Sequence, residues 1–272
     1  MKTKIPAIPY LIWTLVFVLV PLFLVIYFAF TNQRGDFTLN NFANVTSFTP
    51  VIVRSVVLAS VATIICLILA YPLSYYISRQ EKTVQHALVM LVMLPMWMNF
   101  LLRTYAWMTI LENNGLINKA LIFVGLSPVK LINTQAAVLI GMVYNYLPFM
   151  ILPLYSVMTK IHHSLIEASQ DLGANSFDVF SKVIFPLSLP GMAAGVTMVF
   201  VAAVSTFVIS RMLGGGSNIL IGDLIEMQFL GMSYNPNLGS AISLVLIVIS
   251  LCAIMLMQQI DEEDEDINGM FL

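Results

Sequence analysis

Six stretches of this chain are long and apolar enough to cross the hydrocarbon core of a bilayer: residues 8–30, 55–77, 84–102, 134–158, 190–212 and 240–259. A spanning helix needs about 20 mostly apolar residues. The expected fold is therefore an all-α polytopic membrane protein with six transmembrane helices, and an even count puts both termini on the same side. Composition agrees. Of the 272 residues 59% are hydrophobic and 10% charged, against about 45–50% and about 25% in a soluble domain. The missing charges would normally solvate a surface, so much of this surface is expected to face lipid. No long polar stretch is left over for a soluble unit, so residues 1–272 are expected to form one membrane domain. The net charge of −2 argues against nucleic acid as a partner, which requires a basic patch.

Lys2 and Lys4 precede the first run as in a signal peptide. The run, however, far exceeds the roughly 7–15 residues of such a segment and no A-x-A site follows, so an uncleaved span is expected. Charge does not orient the bundle. With a cytoplasmic N-terminus, Lys2, Lys4, Arg79, Lys82, Lys160 and Lys182 lie inside, and Arg34, Arg54, Arg103, Lys119, Lys130 and Arg211 lie outside, an even split. The acidic run after Gln259 contributes little to topology. Pro21, Pro72, Pro95, Pro148 and Pro153 fall in or beside spans. Neighbouring helices tolerate such prolines, which read either as ordinary kinks or as features shaping a cavity. Cys66 and Cys252 sit inside apolar runs and read as small buried hydrophobes.

One segment does not fit a membrane. Residues 160–191 separate the fourth and fifth spans and carry their own helical pattern. Ile161, Leu165, Ala168 and Leu172 recur at the spacing of one helix face, with His163, Glu167, Gln170 and Asp171 opposite. Gly173 suits a helix C′ position. Asn175 can cap a second helix with Asp178 three residues on, Phe177, Phe180 and Ile184 continue an apolar face, and Asp178 and Lys182 form an i,i+4 pair. Pro186 is expected to close this helix. Two short amphipathic helices joined by a glycine turn can lie in the lipid headgroups or dock a soluble partner. A lipid-surface helix carries Lys and Arg on its polar face. This one carries Glu167, Gln170 and Asp171, which favours a protein partner.

The same stretch resembles the EAA motif of bacterial ABC importer permeases. That pattern runs Glu-Ala-Ala, Gly, Ile and Leu-Pro at fixed spacing, and Glu167, Ala168, Ser169, Gly173, Val183, Phe185 and Pro186 occupy its places. Ser169, Val183 and Phe185 are mild departures that keep the helix–Gly–helix plan. The wider chain is similar to the spermidine/putrescine permease subunits of this family, through residues 94–107, 140–158, 167–174 and 213–229. The resemblance implies the type I ABC importer permease fold and a bacterial cytoplasmic membrane. It makes residues 160–187 a cytoplasmic coupling loop, with both termini cytoplasmic. It implies four kinds of partner: the lipid bilayer, a cytoplasmic ABC ATPase dimer, a second homologous permease, and an external polyamine-binding protein. Other permeases of the outline carry other small solutes, and an ATP-independent secondary transporter is the rival of a different class.

The remaining residues locate where chemistry could lie. GxxxxGK[ST] is absent, and Gly214–Gly216 is followed by Ser217 and Asn218 without a lysine, so ATP and Mg belong to another chain and no cofactor is expected in this one. No HExxH or Cys/His cluster suggests a metal, and the adjacent His162 and His163 make a poor chelate. Arg103, beside Trp97, Asn99, Tyr105 and Trp107, reads as a snorkelling arginine in an outer aromatic belt, or as a gate or docking contact. Tyr144 and Asn145 stand mid-span before Pro148, where Asn145 serves either helix-to-helix bonding or a polar pathway. Asp223 and Glu226, three apart between spans five and six, can attract a polyamine cation, pair with a binding protein, or be simply solvated. Trp97, Trp107 and Tyr144 can add cation–π attraction for ammonium groups.

Overall fold

The structure, a computed structural model, describes residues 8–231 and 233–269. Lys2 and Lys4 lie outside the described residues, as do the side chains of the acidic run after Gln259. The described residues are helical throughout apart from connections and one isolated bridge between Thr31 and Phe37. Helix α1 runs continuously through Ile8–Thr14, a π-helical turn at Leu15–Leu19, and Val20–Ala29. The short α2 (Asn40–Val45) precedes α3 (Thr49–Ser78). Then come α4 (Lys82–Trp97), α5 (Phe100–Leu111), α6 (Leu116–Phe123) and α7 (Gln135–Met158). The surface helix α8 (His163–Asp171) leads to α9 (Ser176–Val204), α10 (Val208–Gly214), α11 (Ile221–Leu230) and α12 (Pro236–Gly269).

Among the described residues, five helices are long and apolar enough to cross a membrane, and a sixth crossing requires α4 and the α5–α6 stretch to act together across a bend of 89°. The run at residues 84–102 is thus not one straight helix. Its ladder ends at Trp97, Met98 is extended, and Asn99 restarts it by accepting from the N–H groups of Leu101 and Leu102. The fifth run also departs from expectation. Its helix starts at Ser176, ends at Val204, and leaves Val208–Gly214 as a separate piece.

The core lies between α3, α7 and α9, and small residues set how closely they approach. Ala59, Ala62, Cys66 and Ala70 recur along one face of α3 and are fully buried, while Met142, Met150, Ile151 and Leu154 present the matching face of α7. Lipid is as apolar as leucine, so such helices associate through close packing and short polar contacts. Cys66 Sγ and Ser74 Oγ donate to the carbonyls of Val143 and Ile151 on α7 at 3.8 and 3.2 Å. Across the other side, a Cβ on Gly195 would stand 2.7 Å from Met150 Sδ. Cys252, unlike Cys66, is exposed on α12, so only one of the two thiols is a core residue. Helix α1 is almost wholly exposed, which in a span means facing lipid or another subunit.

Pro186 does not terminate its helix. The π-helical turn at Phe180–Ile184 comes immediately before it, and the helix continues to Val204. A proline ring clashes with the carbonyl four residues back and has no N–H to give it. A π turn widens the ladder at that point and absorbs the mismatch. Pro21 repeats the device behind the π turn at Leu15–Leu19.

Candidate functional site

The surface segment is held by its own capping bonds. Gly173, at φ +89°, closes α8 as a Schellman turn: its N–H donates to the Gln170 carbonyl and the Ala174 N–H to that of Ser169. Asn175 Oδ1 accepts from the N–H groups of Phe177 and Asp178, starting α9. Lys182 Nζ lies 2.6 Å from Asp178 and, as hydrogen-bond donor and then as charge, holds that carboxyl below the usual range. His163 Nδ1 pairs with Glu167 at 3.0 Å on the polar face of α8. Ser169 Oγ donates to the Ile166 carbonyl. Arg79 Nη1, at the end of α3, donates to the Ile161 carbonyl, tying the segment to the bundle.

The buried face of α8 is not the one its periodicity suggests. Ile166, with Val179 and Ile184, forms a small core against Tyr75, whereas Leu165 and Ala168 are exposed and Leu172 is 90% exposed. Phe177 is likewise exposed rather than part of the apolar face of α9. Burial selected Ile166 because α9 folds back onto that side, a tertiary fact absent from the helix's own spacing. The result is an amphipathic helix pair whose remaining apolar residues point away from the chain. Glu167, Ala168 and Gly173 are all exposed beside them, and Pro186 sits at the root.

The second cluster is at the far end of α3. Ser55, near its start, accepts from the Ile221 N–H at 2.8 Å, while Arg79 at its finish holds the surface segment. The separation of 24 residue steps corresponds to about 36 Å of helix. Here Asp223 and Glu226 do not act alike. Asp223 is buried and caps α11, its Oδ2 accepting from the Leu220 N–H at 2.8 Å. Burial pushes its carboxyl up, against the opposing effects of Ser210, the Leu220 N–H and Arg211. Glu226 takes both oxygens to Arg211 Nη1, at 2.5 and 2.6 Å. Neither carboxylate is simply solvated. Both line a cavity of about 300 Å³ with Ser210, Arg211 and Met227. Arg211 was not legible as part of this site, since it lies 15 residues from Glu226 in a separate helix.

The third group divides. Trp97 is exposed and Asn99 caps α5 at the bend. Arg103 is not a snorkelling side chain: it is buried, and its Nη1 donates to the Pro95 carbonyl at 2.5 Å, bridging the break between α4 and α5. That carbonyl lies at the C-terminal end of α4, where a cation is favoured. The Arg103 guanidinium also lies 6.0 Å from the Tyr144 ring, so the cation–π capacity of that ring is already engaged. Trp107 packs edge-on against Tyr144 at 5.1 Å, and both line an apolar groove of about 480 Å³ with Ile65 and Leu147. Among the described residues, Asn145 makes no side-chain bond to another helix, and its Oδ1 is buried without a partner. It is enclosed in the core, and its Nδ2 donates to the Gly141 carbonyl of its own helix.

Comparison with known proteins follows the same outline. Residues 5–261 match the family model described as binding-protein-dependent transport system inner membrane component. The spermidine/putrescine transport system permease protein PotB of Haemophilus influenzae is 39% identical over 87% of this chain and 86% of its own length. Its Escherichia coli K12 counterpart is 35% identical over 87% of this chain and 90% of its own. The inner membrane ABC transporter permease protein YdcU of Escherichia coli K12 is 32% identical over 73% of this chain and 67% of its own. Among solved structures, a chain of a bacterial ABC transporter that imports the acidic polysaccharide alginate superposes with a TM-score of 0.79 over 94% of this chain and 93% of that one, at 17% identity. A second structure of an alginate ABC transporter, in complex with a periplasmic protein bound to an alginate pentasaccharide, gives the same score over 94% and 92%.

Proposed function

The chain belongs to the family of binding-protein-dependent transport system inner membrane components, and from that premise we propose that it forms half of the translocation pathway of an ATP-driven importer of polyamines. The observation that carries the coupling role is the outward apolar face of the segment 160–187. Leu165, Leu172 and Phe177 are exposed on a pair of helices rigidly capped at Gly173 and Asn175. Such a face needs a partner, and a separate cytoplasmic ATPase dimer supplies one. Glu167, Ala168, Ser169 and Gly173 then form the docking surface, with Pro186 at its root. A second homologous permease completes the pathway, and a binding protein delivers substrate outside. On this reading the segment, and with it both termini, is cytoplasmic.

Polyamine as substrate is supported by the relatives named for spermidine and putrescine transport. Carboxylates at the opposite end of α3, Asp223 and Glu226, suit a cationic cargo. Trp97, Asn99, Trp107 and Tyr144 are the further contributors to the path, Asn99 by shaping the bend. ATP-driven closure works by favouring one of two states of the pathway, with the coupling helix carrying that preference into the bundle through α9. The test is Leu172→Asp. It should abolish co-purification with the ATPase while leaving insertion and thermal stability of the permease unchanged, because Leu172 contacts nothing in its own chain that burial protects. Retained co-purification would remove the docking assignment.

A further inference from the structure

The Arg211–Glu226 pair joins two differently anchored parts of the molecule. Arg211 rides on α10, whose Ile209 and Leu213 pack against Gly141 of α7. Glu226 rides on α11, whose first turn is pinned to α3 through Ser55 and whose last turn packs on Gly239 of α12. Between them lies the turn of Gly215 and Gly216, both at positive φ. Helix α9 starts in the surface segment and leads through Ser205–Phe207 straight into α10. The carbonyls of Ser205 and Thr206 in that connection also pack on Gly222 of α11, so a displacement of α9 bears on both sides of the pair.

The two partners also differ in how firmly they are held. The Glu226 side chain is 22% exposed and the Arg211 side chain 60% exposed. A largely buried carboxylate needs a countercharge continuously, whereas a guanidinium that is mostly in water loses little on release. The cavity beside the pair is bounded by a second, fixed carboxylate, Asp223. We infer that Arg211 is an internal stand-in for the cargo: its guanidinium holds α10 and α11 together by occupying Glu226, and an ammonium group of an arriving amine displaces it and opens that latch. This inference rests on the polyamine reading for the identity of the displacing cation. It makes Arg211 a specificity-determining residue, since an anionic or neutral solute cannot replace it at Glu226.

The test uses the importer assembled with its partner subunits in proteoliposomes and reads two quantities, ATP hydrolysis without binding protein and the kinetics of spermidine uptake. Arg211→Gln should raise hydrolysis without binding protein roughly five- to tenfold, the size of a typical coupling term, and lower the KM for uptake because the competitor is gone. The exchanged pair, Arg211→Glu with Glu226→Arg, restores the attraction between the helices. It should return hydrolysis to the low wild-type level yet leave uptake impaired, because a guanidinium now stands on α11 beside Asp223, in the place of the carboxylate that receives the ammonium group. A merely structural ion pair predicts that the exchange restores both, and that result overturns the proposal. Unchanged hydrolysis and KM in Arg211→Gln overturn it equally. If the wild-type importer takes up no polyamine, the substrate reading fails by itself, and the hydrolysis measurement still judges the latch.

Discussion

Gly173 illustrates how much a single residue can set. Its φ of +89° belongs to the left-handed region, and a Cβ there would meet nothing within 4 Å. Any cost of substitution is therefore backbone strain alone, about 1 kcal/mol for alanine. Gly173→Ala should weaken ATPase association about fivefold, and Gly173→Asn should weaken it less, since asparagine tolerates that conformation. Equal affinity for wild type and the alanine variant, measured by titrating ATPase onto reconstituted permease, would contradict the role of the turn. This turn was legible in the sequence because everything that makes it is local: Gly173, the Asn175 cap and the Asp178–Lys182 pair all act within four residues. Arg103 and Glu226 stood out as charges, but their partners were not legible, because the fold sets them. The Pro95 carbonyl lies at a break between helices, and Arg211 comes from another helix.

At the scale of elements, apolar length located the crossings but not their interruptions. Residues 84–102 read as one run because hydropathy ignores the Met98–Asn99 break, where Asn99 competes for backbone donors and restarts the ladder. Pro186 read as a stop because the π turn that accommodates it has no signature of its own. The face of α8 was misassigned for a related reason: an apolar residue lies on more than one side, and only the return of α9 decides that Ile166 is the buried one. The association of α7 with α9 depends on the absence of side chains. Gly195→Val would drive its Cβ to 2.7 Å from Met150 Sδ and 3.2 Å from the Met150 carbonyl oxygen. Overpacking of this kind costs about 1–3 kcal/mol. Thermal unfolding in detergent should show a lowered Tm for Gly195→Val, and an unchanged Tm would mean that the two helices are not held at this distance.

For the whole molecule, the arrangement places an exposed apolar surface at one end and a charged cavity at the other, joined by α3 and α9. Charge patterning could not orient this axis, since basic residues divide evenly between the two sides. The docking role proposed for residues 160–187 would orient it instead and would place ATP hydrolysis in another chain. The direct measurement is uptake of radiolabelled spermidine or putrescine into proteoliposomes holding the permease pair, with the ATPase and the substrate-loaded binding protein added or withheld. The account predicts accumulation only when ATP, the ATPase and the loaded binding protein are all present. Accumulation that persists without the ATPase and without ATP would contradict it.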